Sequence, residues 1–121
     1  MIGAAAALVA WMILPPPAAT RPAVREAFNV RYGTQSLRQS LDVFSPGDST
    51  KKHPVVVFVH GGTWFMGDKD FFGVNRGVGR MLARAGYVAV VPNYRLSPLV
   101  RHPEHARDVA RAYAWAVRNA G

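Results

Sequence analysis

The residues best suited to chemistry stand directly after a short apolar run, in the order His60-Gly61-Gly62-Thr63-Trp64. Two adjacent glycines let the backbone turn tightly and bring bare N–H groups close to a ligand. Amide groups fixed in this way stabilise negative charge on a carbonyl oxygen, because they need no reorganisation when the charge develops. The sequence therefore predicts half of an oxyanion hole, with a plain strand-ending turn as the alternative.

Apolar segments on both sides of this loop predict the elements that hold it. Val55–Val59 is β-branched or aromatic throughout, which is typical of a central parallel strand buried on both faces. A helix is predicted over 74–85, Gly86 marks its expected end, and Tyr87–Val91 is a second apolar strand. This order predicts a right-handed crossover with parallel strands, which places the loop at the carboxyl end where ligands bind. The helix has this predicted apolar stripe: Val74, Val78, Met81, Leu82 and Ala85.

The flanking segments complete an α/β fold: an antiparallel strand pair, then β-α-β-α with parallel strands. Phe28–Tyr32 and Ser36–Phe44 are the predicted antiparallel pair, separated by a short turn. The second of these strands has three residues predicted to face the core: Leu37, Leu41 and Val43. A last helix begins near Pro103, a residue suited to the first helical position, and Gly121 stands where a cap is expected. Its predicted apolar stripe is Val109, Ala112, Tyr113, Ala116 and Val117.

Composition limits the kinds of partner that the chain can have. The 121 residues suit one domain, and the absence of cysteine excludes disulfides and thiolate metal sites. The formal charge of +8 comes from 15 Lys and Arg residues that are dispersed, with Lys51-Lys52 as the only adjacent pair. Because no basic run is interleaved with aromatic residues, we do not expect nucleic acid as a partner.

Residues 1–22 form an apolar N-terminal segment and a proline-rich linker, and residues 23–121 the domain itself. Residues 2–14 are apolar but would span only about 20 Å as a helix, less than the ~30 Å of a bilayer core. Their length matches a signal peptide or anchor, which predicts a secreted, periplasmic or membrane-anchored protein with membrane contact through this segment. The alternative is an ordinary apolar segment or a misassigned start, in a cytoplasmic protein.

The loop motif followed by VPNYRLSP and HPEHARD resembles the α/β-hydrolase fold over residues 35–121. It is most similar to hormone-sensitive-lipase-like and bacterial feruloyl-esterase-like serine esterases, and isoprenylcysteine methylesterases and kynurenine formamidases share the HGG-x-W pattern. The resemblance implies that the amides of Gly62 and Thr63 hold the oxyanion, that His60 shapes the loop and that Gly61 makes its turn. Trp64 would line an acyl pocket or pack beneath the loop.

Serine esterases of this kind also need a nucleophile in a Gly-x-Ser-x-Gly elbow, followed by an acid and a histidine. No serine of this chain is flanked in that way, and Ser97 is the last serine. We therefore expect the N-terminal half of a hydrolase that acts on a small ester without a cofactor, and we expect the 121 residues alone to be inactive. The alternative is an inactive fragment or interaction module, for which the unpaired edge of Val55–Val59 predicts aggregation, homodimer formation or folding with a partner.

Two further groups of polar residues have a structural interpretation. His102, Glu104 and His105 fit no zinc signature, so we expect helix-start residues there and no metal site. Arg95 and Asp108 are predicted to form a structural ion pair that ties the end of the second parallel strand to the last helix.

Overall fold

The computed structural model describes residues 22–119. Its elements are β1 (Val24–Arg31), β2 (Ser40–Pro46), β3 (Val55–Val57), α1 (Val74–Arg84), β4 (Val88–Pro92) and α2 (Glu104–Asn119). No helix within this range combines the length and the apolarity that crossing a membrane requires. The predictions for the apolar segment 2–14 and for a cap at Gly121 lie outside the described residues.

The four strands form one sheet in the order β1-β2-β4-β3. β1 pairs with β2 and β2 with β4 in antiparallel register, whereas β3 and β4 are parallel, from Val55↔Val88 to Val57↔Val90. The predicted antiparallel pair and the parallel pairing across α1 are both confirmed. β3 is an edge strand of this described sheet, and it ends at Val57, two residues earlier than predicted.

The predicted start of the second strand was wrong. β2 begins at Ser40, and Leu37 is 87% exposed instead of facing the core. The reason is a turn closed by the backbone N–H of Gln39, which donates to the Ser36 carbonyl oxygen at 3.0 Å. Leu41, by contrast, is fully buried as predicted. β1 also begins earlier than predicted, since Val24 already pairs with Pro46.

Each face of the sheet carries a helix and its own apolar cluster. On one face α2 contributes to the cluster of Leu41, Val90, Ala112 and Ala116. On the other face α1 contributes to the cluster of Phe44, Ala83, Ala89 and Val91. Alternate residues of β4 therefore face different helices, as a strand period of two requires, and the molecule is an α/β sandwich.

The face that each helix turns towards the sheet agrees only in part with the predicted stripe. In α1 the predicted Leu82 packs against the Phe44 cluster. In α1 the buried residues are Gly79 and Ala83, whereas Met81 is 59% exposed and Val74 is equally exposed. A Cβ on Gly79 would lie under 3.0 Å from the Phe44 ring, so only glycine lets the helix come this close. In α2, Ala112 and Ala116 are buried as predicted, but two other members of the stripe are exposed: Tyr113 and Val117.

Candidate functional site

The loop 60–67 leaves β3 at its carboxyl end and makes its turn at Gly62. Gly62, Thr63 and Trp64 have φ angles of 131°, 55° and 67°, a run of positive values that is rare outside glycine. A Cβ on Gly62 would lie well under 3.0 Å from the Met66 carbonyl oxygen, whereas a Cβ on Gly61 would meet nothing within 4 Å. Gly61 has no positive φ, so the strained position of the loop is Gly62.

The hydrogen bonds inside the loop leave the predicted oxyanion donors unused. Phe65 and Met66 both donate their amides to the Gly62 carbonyl oxygen at 3.1 Å, which closes the turn. Within residues 22–119, the amides of Gly62 and Thr63 donate to no other residue. An acceptor that enters from outside the loop would therefore find two bare donors.

A cavity of about 440 Å³ opens beside this turn. Its walls combine glycine backbone, the apolar side chains of Met66 and Phe71 and the carboxylate of Asp68. Of the residues predicted for the site, His60, Gly61 and Gly62 line the cavity, and Thr63 and Trp64 are not among its walls. The full lining is His60, Gly61, Gly62, Met66, Gly67, Asp68, Phe71 and Asn75.

His60 is buried beneath the loop and is held on both sides of its ring. Its Nε2 lies 3.0 Å from Asn93 Oδ1, and its ring stacks on Tyr94 with centroids 4.6 Å apart. Asn93 Oδ1 also accepts a hydrogen bond from the Lys69 backbone N–H at 2.8 Å. This side-chain oxygen is therefore an acceptor, and His60 Nε2 carries the proton of the bond between them. His60 Nδ1 in turn lies 2.8 Å from the Gly61 carbonyl oxygen. Both ring nitrogens therefore face oxygen acceptors inside the fold, which favours the predicted loop-shaping role.

Asn93 and Arg38 anchor the loop from below, and the sequence analysis missed both. Asn93 Nδ2 donates to Asp68 Oδ2 at 3.0 Å, next to the bond from His60. Arg38 Nε donates to the Tyr94 carbonyl oxygen at 2.8 Å, and its Nη2 donates to the Gly67 carbonyl oxygen at 3.0 Å. Asn93 could have been identified from the sequence, because it is a polar residue that directly follows a fully apolar strand. No sequence feature pointed to Arg38.

Tyr94 connects the loop to the core. Its hydroxyl donates to the His60 carbonyl oxygen at 2.9 Å, and its ring meets the edge of Trp64 at 4.9 Å between centroids. Burial raises the pKa of Tyr94, so the phenol stays protonated and remains a donor. Trp64 itself is 39% exposed and also lies against the His105 ring at 5.3 Å, so it packs at the side of the loop.

A buried ion cluster on β2 fixes the segment that follows the loop. Asp42 is fully buried and lies 2.8 Å from Lys69 Nζ and 3.0 Å from Arg76 Nε. Asp42 Oδ1 also accepts a hydrogen bond from the Asn29 backbone N–H at 2.9 Å. These contacts join β1, β2, the segment after the loop and α1, and they span 13 to 34 residues along the chain.

The predicted ion pair between Arg95 and Asp108 is confirmed. Arg95 Nε lies 2.8 Å from Asp108 Oδ2, and the Arg95 amide donates to the same oxygen at 3.0 Å. Gln39 Nε2 and Arg111 Nη1 add contacts of 2.9 and 2.8 Å to Oδ1. Burial by itself would raise the pKa of Asp108, but these hydrogen bonds and the Arg95 charge hold the pKa below its usual range. The pair ties the end of β4 to α2.

No group of three or more His, Asp or Glu side chains converges on a point suited to a metal ion in the part of the chain that the structure describes. His102 is exposed, and His105 is buried against Trp64.

Comparison with known proteins places these features among esterases. The BD-FAE family model matches residues 41–121. The chain is 42% identical over 91 residues to esterase LipC of Mycobacterium tuberculosis, covering 74% of this chain and 22% of the relative. It is 31% identical over 90 residues to a kynurenine formamidase of Meyerozyma guilliermondii, covering 74% of this chain and 33% of the relative.

A solved structure agrees with these relatives. Esterase B from Lactobacillus rhamnosis superposes with a TM-score of 0.73 at 27% identity, covering 98% of this chain and 37% of that chain. The chain spans about a fifth to a third of the length of the two curated relatives it was compared with.

Proposed function

The chain belongs to the BD-FAE family, and from this premise we propose that the native protein is a serine carboxylesterase whose oxyanion hole includes this loop. The family's esterase relatives and their α/β-hydrolase fold support this proposal. The observation that carries it is the pair of unused amides on Gly62 and Thr63, in a loop whose Gly62 lines a cavity beyond the carboxyl end of a parallel strand.

In the proposed reaction a serine oxygen adds to the carbonyl carbon of a bound ester while a histidine takes its proton. The carbonyl double bond becomes a single bond, and the resulting oxyanion accepts hydrogen bonds from the Gly62 and Thr63 amides. Collapse of this intermediate expels the protonated alcohol, and water then hydrolyses the acyl-enzyme by the same steps. The amides contribute at both stages because negative charge returns to the same oxygen.

The apolar part of the cavity wall favours small neutral esters. Met66 and Phe71 offer apolar contact, and the Gly61 backbone leaves open space beside the turn. The relatives include an esterase and a kynurenine formamidase. We therefore propose short-chain carboxylic esters as substrates, with small amides as a second class.

Hydrolysis of p-nitrophenyl esters from acetate to octanoate by the native gene product tests the proposal. We expect turnover that is greatest for short acyl chains, and none from the polypeptide 1–121 by itself. Gly62→Ala should lower kcat about 10²–10³-fold, the usual loss for a displaced oxyanion donor. His102→Ala is the control, because this histidine is exposed and does not line the cavity. Absence of turnover across the whole ester series would refute the proposal.

The open side of β3 supports an alternative proposal, an interaction module. Within residues 22–119 this strand pairs on one side only, with β4. An unpaired apolar edge invites a further strand, from this protein or from a second copy. Sedimentation of the polypeptide 1–121 distinguishes these cases: a homodimer favours the module, and a monomer that melts cooperatively argues against it.

Export and membrane contact through residues 2–14 are also proposals, since that segment lies outside the described residues. Sequencing the N-terminus of the native protein tests the first, and cell fractionation tests the second. A mature chain that begins after Ala19 would support cleavage of a signal peptide.

A further inference from the structure

Ser97 joins three parts of the molecule that meet beside the candidate oxyanion loop. Its amide donates to the Trp64 carbonyl oxygen at 2.9 Å, which holds the far end of the turn. Its hydroxyl lies 3.1 Å from the Val100 carbonyl oxygen and 2.8 Å from His105 Nε2. His105 is in the first turn of α2, so one serine connects the loop, the 97–100 segment and the helix.

The two contacts of the hydroxyl fix the tautomer of His105. Ser97 has one hydroxyl hydrogen, and Val100 offers only an acceptor. If that hydrogen goes to Val100, His105 Nε2–H donates to Ser97 Oγ and both contacts are hydrogen bonds. If the Ser97 hydroxyl donated to His105 Nε2 instead, its bond to Val100 would be lost, and the proton of the imidazole would lie on the unpartnered Nδ1. The first arrangement therefore holds, and Nδ1 is an acceptor.

His105 is not the residue that packing alone would favour at this position. The residue is 3% exposed, and its buried Nδ1 has no hydrogen-bond partner among the described residues. A buried polar atom without a partner destabilises the fold, and an apolar side chain would avoid that cost. What the imidazole adds is its bond to Ser97 and its contact with the Trp64 ring, at 5.3 Å between centroids and tilted by 31°.

We propose that Ser97 and His105 form a positioning pair that holds the oxyanion loop in its working conformation. Thr63 and Trp64 both have positive φ angles, a strained state that persists only where the surroundings impose it. Ser97 imposes it on the backbone through the Trp64 carbonyl group, and His105 imposes it on the Trp64 side chain. Neither residue lines the cavity, so they act through the loop and not on the substrate. The kinetic part of this inference rests on the proposed esterase function.

Four variants separate positioning from simple packing. Ser97→Ala removes the hydroxyl but keeps the amide bond to Trp64, and His105→Ala removes the ring. His105→Gln retains a donor that can reach Ser97. The double variant Ser97→Ala/His105→Leu removes both polar partners together, which is often neutral or stabilising in a buried site. His102→Ala is the matched control, an exposed histidine three residues from His105.

The first measurement is amide hydrogen exchange at Phe65 and Met66, whose bonds to the Gly62 carbonyl oxygen report closure of the turn. We expect exchange about tenfold faster in Ser97→Ala and in the double variant, and unchanged exchange in His102→Ala. The second measurement is ester hydrolysis by the native gene product. We expect kcat to fall about tenfold with KM unchanged, since small displacements of reacting groups cost up to about 10²-fold. His105→Gln should recover most of the activity.

The double variant decides between positioning of the loop and simple packing. We expect it to melt at or above the wild-type temperature, while amide hydrogen exchange at Phe65 and Met66 stays faster and kcat stays lower than in the wild type. Normal exchange at Phe65 and Met66 in folded Ser97→Ala would overturn the inference, and so would faster exchange with an unchanged kcat. If His105→Ala does not fold, Ser97→Ala and the double variant still give the answer. If the wild-type protein hydrolyses no ester, the proposed function fails, and the exchange result alone decides whether the pair positions the loop.

Discussion

Alanine substitutions of the two adjacent loop glycines should differ in their effect on stability, and this difference follows from the geometry of each position. Gly62 has a φ of 131°, and a Cβ there would lie well under 3.0 Å from the Met66 carbonyl oxygen. The unfavourable backbone region costs about 1–2 kcal/mol, and displacing a packed neighbour adds about 1–3 kcal/mol. Gly62→Ala should therefore lower the free energy of unfolding by about 2–5 kcal/mol.

Gly61→Ala serves as the matched control for stability. The new Cβ would meet nothing within 4 Å, and the residue does not have a positive φ. The free energy of unfolding should stay within about 0.5 kcal/mol of the wild-type value. Gly61 lines the cavity, however, so the added methyl group would take up space beside the turn where the ester must approach. We expect kcat/KM to fall about tenfold or more in a protein of normal stability.

Thermal unfolding and ester hydrolysis together test the pair. In the native gene product, which we expect to form a larger hydrolase domain, about 2 kcal/mol corresponds to about 4–8 °C in Tm, so Gly62→Ala should melt at least about 4 °C lower. Gly61→Ala should melt with the wild type and lose activity. Equal losses of stability in the two variants would refute the assignment of the turn to Gly62. Full activity in Gly61→Ala would show that substrate does not approach along this wall.

Three further predictions concern the contacts below the loop. Asp108→Asn should lower the free energy of unfolding by about 1.5–3 kcal/mol in urea titration, because the partly buried Arg95 loses its bonds to this carboxylate and keeps only its contact with Glu104 at 3.2 Å. The pKa of Asp108 is lowered in the folded state, so its contribution to stability is present above the unfolded pKa of about 3.9 and is lost as pH falls through the folded pKa. The free energy of unfolding should therefore fall less steeply in acid for Asp108→Asn than for the wild type, because the contribution of Asp108 is already absent. Tm values measured over a pH series would show this difference. Tyr94→Phe should cost about 1–2 kcal/mol by thermal unfolding, since the His60 carbonyl oxygen loses its 2.9 Å bond.

Local sequence signals were sufficient for the order and pairing of the elements around the site. The apolar runs at Val55–Val59 and Tyr87–Val91, separated by a helix that ends before Gly86, predicted the parallel pair that the structure contains. Charge complementarity and chain order were enough to pair Arg95 with Asp108. These features depend on neighbours in the chain or on the ends of adjacent elements.

Features that depend on distant packing were not predictable in this way. The stripe on α1 was only partly right: Leu82 packs against the core, but Gly79, 35 positions from Phe44, makes the close approach to that ring and was not predicted. Leu37 was placed in the core because alternation continued through a turn that the Gln39 amide closes. Asp42 had no local signal at all, since its partners Lys69 and Arg76 lie on other elements. Buried charges of this kind are recognised only when the fold brings their partners together.

The loop's hydrogen bonds divide into two sets, and this division is the physical basis of the functional proposal. Two bonds hold the loop from below. His60 Nε2 lies 3.0 Å from Asn93 Oδ1, and Arg38 Nη2 donates to the Gly67 carbonyl oxygen at 3.0 Å. These bonds use side chains and carbonyl groups, and none of them uses the amides of Gly62 or Thr63. A loop held firmly by its other polar atoms can keep two donors unpaired without collapsing onto them. Preorganised donors of this kind are what stabilisation of a developing oxyanion requires.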